Sequence, residues 1–255
     1  MFDRLRSLIG RSLAAYLEKE TARYRSFALV PHDQLSRALC PGDVLLVEGN
    51  TRIATAIKYL TLSTWSHSAF FAGGNQPGGE LIEADLRHGV HAAPLSKYAG
   101  FNTRICRPVG LQPAEIERVV VFMQSSLGRN YDLRNVVDLA RYLLPQPPVP
   151  QRWRRHMLAM GSGDPTRAIC STLIAEAFQS VRYPILPEIW KKCPEERCKE
   201  ILRIRHHSLF VPRDFDLSPY FRVVKPTVEA GFDPYRLTWA QEGPPRPERV
   251  VGTAR

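Results

Sequence analysis

"AICSTLIAEAF", residues 168–178, places a cysteine just ahead of an apolar periodic run. Ile174, Ala177, Phe178 and Val181 recur at helical spacing, which predicts an amphipathic helix from Ile169 to Val181. Cys170 then falls in the first turn. There a thiol meets the positive end of the helix dipole and backbone N–H groups with no intrahelical acceptor, both of which favour thiolate over thiol. A free cysteine also packs as a small hydrophobe, so the helix alone leaves packing and nucleophile both open. A nucleophile further requires a base and a group that orients the base.

The segments before this helix read as strands. "LCPGDVLLVEG" (39–49) is a Pro-Gly turn feeding a strand over Val44–Val47, and Ile53–Leu60 reads as a short helix. "TWSHSAFFAGG" (64–74) is a strand closed by paired glycines, "GGELIEADLRHGV" (78–90) supplies the next, and "TRICRPV" (103–109) another. A helix from Pro113 to Leu127 opens with proline and Glu115, as a helix N-terminus should. A final strand lies around Phe221–Val224. Adjacent short strands flanked by helices predict an α+β domain.

On its strand His67 shares a face with Ala69 and Phe71, an apolar face on which a helix such as that of Cys170 could pack. That makes His67 the best-placed base among seven histidines, although a core or strand-end histidine would look the same. Glu83 lies between Ile82 and Ala84 and shares a face with Leu81. A carboxylate in such surroundings is costly to bury unless paired, and pairing to the imidazole of His67 would both satisfy it and set the tautomer. A solvated edge-strand glutamate is the alternative, and Asp85, His88 and His91 compete for the orienting role.

"PGDVLLVEG", "WSHSAFFAGG", "ELIEADLRHGV", "GRNYDL" and "ICSTLIAEAF", in this order, together with "PRDFDLSPYF" near the end, resemble the circularly permuted papain-like cysteine hydrolases. The likeness is to their YiiX/YebB-like branch, related to NlpC/P60 and lecithin:retinol acyltransferase proteins, and it runs from about Leu39 to Lys225. It implies a small antiparallel sheet or barrel packed on helices, with the histidine strand preceding the cysteine helix. It further implies Cys170 as nucleophile, His67 as base, Glu83 as orienting group and Tyr131 near the substrate. The activity implied is cleavage of an amide or ester bond through an acyl-enzyme. A lipid acyltransferase or phospholipase using the same triad, and a non-catalytic binding module of the same fold, are the rival expectations.

Around this domain, residues 29–228, two insertions stand out, near 144–165 and 185–207. The first contains "PQPPVPQRWRR", which cannot be regular helix. Residues 1–28 carry an amphipathic helix with Leu5, Leu8, Ile9, Leu13, Tyr16 and Leu17 on one side, suited to an anionic membrane or to docking on the domain. Residues 229–255 read as a flexible tail.

The net charge of +10 rests on 7 lysines and, of 35 cationic residues, therefore 28 arginines. It suits anionic partners, but no nucleic-acid motif accompanies it, and no specific nucleic-acid binding is expected. Five cysteines without a repeated spacing argue for free thiols and a cytoplasmic, at most peripherally membrane-bound protein. Cys193, Cys198, His206 and His207 meet no standard zinc spacing, and no metal or cofactor is expected.

Overall fold

The computed structural model describes residues 19–20, 30–74, 78–85, 88–129, 169–192, 199–233 and 235, without side-chain detail at residue 169 and from 189 to 202. Six strands form one open antiparallel sheet: β1 (Val44–Val47), β2 (His67–Phe71), β3 (Leu81–Asp85), β4 (Gly89–Ala93), β5 (Thr103–Pro108) and a last strand, Phe221–Val224, in the order β4-β3-β2-β1-β5 and then that last strand. The chain is therefore α+β, as its alternation of short strands and helices predicts.

β1 lies at the centre because all four of its residues are apolar, and all four are buried. Its start is fixed by Asp43, whose carboxylate takes two hydrogen bonds from Arg107 on β5, at 2.8 and 2.7 Å, and one from the Cys40 backbone N–H at 2.8 Å. Gly42 permits the preceding turn with φ of +96°, a backbone angle that other residues rarely adopt.

Both sheet faces are covered. On one, Val44, Leu46, Phe70, Ile82 and Ala84 meet Leu173, Ile174, Ala177 and Phe178 of the helix Ile169–Ser180. Phe178 is wholly buried, with edge-on ring contacts to Phe70 at 6.3 Å and Phe221 at 5.2 Å, and the helix Pro113–Ser125 adds Val119 and Met123 behind it. On the other face Leu45, Val47, Ala69, Phe71, Leu81 and Ile105 meet Leu35 of the helix His32–Ala38, and Leu95 and Tyr98 of a 3₁₀ turn.

Two expectations change. "GGELIEADLRHGV" is not one strand but the greater part of a hairpin, β3 and β4, with Glu83 opposite His91 and Asp85 opposite Gly89. Gly89, at φ of +65°, takes the strained position where the chain comes back. The Cys170 helix does not pack on the face of His67, Ala69 and Phe71; it covers the face of Ser68 and Phe70. Strand alternation says which residues share a face, but here both faces are apolar, so it could not say which one the helix takes.

The charged insertion at 185–207 contains a hairpin of its own, Glu188–Lys192 paired with Lys199–Arg203. The amphipathic stretch Leu5 to Leu17, Tyr131, the insertion at 144–165, Cys193, Cys198 and most of the tail lie outside the described residues. No described helix is long and apolar enough to cross a membrane.

Candidate active site

A gap in the sheet lets Cys170 reach His67 from the opposite face. β2 and β3 pair only at Phe70 with Ile82 and Phe71 with Leu81. Beyond those pairs β2 continues along β1 as far as His67, while β3 continues along β4 as far as Asp85. Alternation turns the backbone of Phe71 toward β1, where its N–H meets the Asp43 carbonyl, and so turns the Ser68 N–H toward the side where β3 no longer pairs. On that side it helps to lower the Cys170 thiol. The Ser68 hydroxyl is fully buried without a hydrogen-bond partner, and it too favours the thiolate.

Cys170 is the second residue of its helix and is buried. Burial alone would raise its thiol pKa. The charge and hydrogen bond of His67, aided by the Ser68 donors, outweigh burial and bring the thiol down to about 7. His67 shows the reciprocal effect. Burial opposes its charge, but the Cys170 sulfur and then the Glu83 carboxylate raise it to about 10. Near neutral pH the thiol therefore ionises beside an imidazole that keeps its proton, which gives a thiolate–imidazolium pair.

Glu83 is the hub of the site. Its side chain is fully buried, and each carboxylate oxygen meets two partners. Oε2 lies 3.0 Å from His67 Nε2 and accepts from the Tyr98 hydroxyl. Oε1 accepts from Lys97 Nζ and lies 3.0 Å from His91 Nε2. Burial would push this acid up; the hydrogen bond and charge of His67, with those of Lys97, hold it well below the usual carboxylate range. Because Nε2 of His67 faces Glu83, the other ring nitrogen, Nδ1, is left for the sulfur. Burial first, and then the neighbouring Glu83 charge, keep Tyr98 a phenol well above its ordinary pKa, so it remains a donor.

Cys170, His67 and Glu83, read from sequence as a set, thus stand together in the structure. Of the competitors for the orienting role, His88 pairs with Asp85 at 2.9 Å, and only His91 touches Glu83. Lys97, Tyr98 and Ser68 were not singled out by the sequence. Lys97 and Tyr98 belong to "PLSKYAG", a 3₁₀ turn after β4 whose approach to Glu83 is a tertiary event with no local pattern. Ser68 sits beside His67 in the strand, and alternation alone could have marked it as facing the other side.

No protein-family model and no curated protein matches the chain. Among solved structures, the metalloprotein yiiX from Escherichia coli O157:H7 is similar at 16% identity and a TM-score of 0.45, covering 74% of this chain and 97% of that one.

Proposed function

We propose that the protein is a cysteine-dependent hydrolase of an amide or ester bond, with the permuted papain-like arrangement in which the histidine strand precedes the cysteine helix. The observation that carries this reading is the line Cys170, His67, Glu83, in which a buried thiol is brought to about 7 beside a histidine raised to about 10. A structural cysteine in an apolar core behaves oppositely: Cys106, buried on β5, is pushed far above its ordinary value, first by burial and then by the Asp216 charge.

In this mechanism the Cys170 thiolate attacks the substrate carbonyl, forming the C–S bond as the carbonyl electron pair moves to oxygen. Backbone N–H groups in the first turn of the cysteine helix are the donors available to the oxyanion. The His67 imidazolium gives its Nδ1 proton to the leaving amine or alcohol as that bond breaks, leaving a thioester. Neutral His67 then takes a proton from water, whose hydroxyl attacks the thioester. Collapse returns the acid product and the thiolate–imidazolium pair. Glu83 remains ionised throughout, holding Nε2–H and compensating the imidazolium.

The test is labelling by an electrophilic acyl probe directed at thiols, with the modified residue identified by peptide mass spectrometry. The parent should be acylated at Cys170 and should release the acyl group to water, whereas Cys170→Ala should do neither. Equal labelling of the two proteins would sink the proposal.

A further inference from the structure

The β3–β4 hairpin carries a second set of chemistry-bearing side chains, of which only His91 also touches the candidate active site. Asp85 ends β3, His88 lies in the turn and His91 lies on β4, diagonally across from Asp85 on the same face. Each offers one ligand atom, and these atoms all lie within 4.8 Å of one another. Asp85 Oδ2 is 2.9 Å from His88 Nδ1 and 3.6 Å from His91 Nε2. Ligand atoms about 2.1 Å from a tetrahedral zinc ion are separated by roughly 3.4 Å, so small rotations of three side chains bring the set to coordination geometry.

The hydrogen bonding of His91 points the same way. Its Nδ1 lies 3.2 Å from the Gly89 carbonyl oxygen, which can only accept, so Nδ1 carries the proton. The other ring nitrogen, Nε2, is therefore the one turned toward the carboxylates. It lies 3.0 Å from Glu83 Oε1 and 3.6 Å from Asp85 Oδ2. A backbone carbonyl that fixes one ring nitrogen and leaves the other free is also how metal-ligating histidines are commonly held.

From this geometry we infer that Asp85, His88 and His91 form a binding site for a divalent d-block cation of the zinc class, separate from Cys170. Two imidazoles and one carboxylate are the donor set that such ions favour, and they leave a fourth position open. The inference does not depend on the hydrolase reading, because none of the three ligands takes part in acyl transfer.

The experiment is titration of the untagged, metal-stripped full chain with zinc alone, followed by calorimetry, and with cobalt(II), followed by its visible spectrum. One ion should bind, and the cobalt spectrum should show nitrogen and oxygen ligands without a thiolate charge-transfer band. His88→Ala and Asp85→Asn should each weaken binding by more than the roughly 10- to 100-fold typical of losing a mere outer-shell partner, while Cys170→Ala should bind as the parent does. His88 is exposed in a turn, so its replacement leaves the core untouched, and Asp85→Asn keeps an acceptor for the same turn. Three results would overturn the assignment: no binding by the parent, in which case a protonated His91 alone joins the two carboxylates; undiminished binding by both hairpin variants; or a thiolate band in the cobalt spectrum.

Discussion

Replacing His67 by alanine removes the group whose charge and hydrogen bond most strongly lower the Cys170 thiol. With that support gone, burial acts against only the Ser68 donors, and the thiol should titrate at or above its ordinary value of 9.0 rather than about 7. Two units correspond to about 2.7 kcal/mol of lost preference for the thiolate. At pH 7 the thiolate fraction would fall from about one-half to about 1%, a factor of roughly 50. A more basic thiolate is also a better nucleophile, and over two units that returns roughly 6- to 10-fold. The net loss of alkylation rate at pH 7 is thus only about 5- to 8-fold, too little to distinguish the cause from a change in access. The midpoint is the sharper readout. Iodoacetamide labelling of Cys170, followed peptide by peptide across pH, should show its midpoint move upward by about two units in His67→Ala. A midpoint within about half a unit of the parent's would refute the claim that His67 activates this thiol.

In the parent, kcat/KM should rise as Cys170 ionises near about 7 and fall as His67 loses its proton near about 10, because only the thiolate–imidazolium form is competent; a pH–rate profile on any cleaved substrate checks both limbs. Glu83→Gln should lower the upper limb, since the imidazolium loses its carboxylate, and reduce turnover by less than the roughly 10²- to 10⁴-fold expected for His67→Ala. The same variant turns an amide NH₂ toward one of the donor pairs now facing the carboxylate, and should melt below the parent. The loss should fall short of the roughly 3–5 kcal/mol of a broken buried pair, because Lys97 is 43% exposed and can turn to water. Tyr98→Phe deletes one donor to the same charge and should reduce stability by about 1.5–3 kcal/mol in urea titration, with Cys170 still reactive.

The elements legible in the sequence are those with a local cause. The Pro-Gly turn and the unbroken apolar run give Val44–Val47, and the last strand, Phe221–Val224, stands where its apolar pattern places it. The helix Pro113–Ser125 begins at its proline, with the Glu115 carboxylate accepting from the Gln112 backbone N–H at 2.9 Å. The β3–β4 hairpin looks like a single strand in the sequence because "DLRHG" combines charge with a glycine, features shared by solvated strand ends and turns. Cys170, His67 and Glu83 could be named because a thiol in a helix's first turn, a histidine on an apolar strand face and a carboxylate among apolar neighbours stand out locally, and the family resemblance joins them. Their meeting could not be read, because it depends on where β2 and β3 cease to pair, and nothing in either strand announces that point.

That break in pairing also explains why so polar a cluster sits inside an apolar sheet. Continued pairing would engage the Ser68 N–H in the ladder and close the route by which the helix on one face reaches the histidine on the other. Leaving it open forgoes ladder hydrogen bonds and buries a carboxylate, and buried ion pairs are seldom more stabilising than well-packed apolar side chains of similar volume. Stability is therefore a poor reason for Glu83 to be where it is. What the arrangement does supply is a carboxylate that cannot turn away, held through both oxygens by Lys97, Tyr98 and His91 as well as His67, so that the imidazole has one orientation and presents Nδ1 to the sulfur. Positioning of that kind is of no use to a packing cysteine, but under the hydrolase proposal a thiolate that attacks a carbonyl and then recovers a base for water requires it.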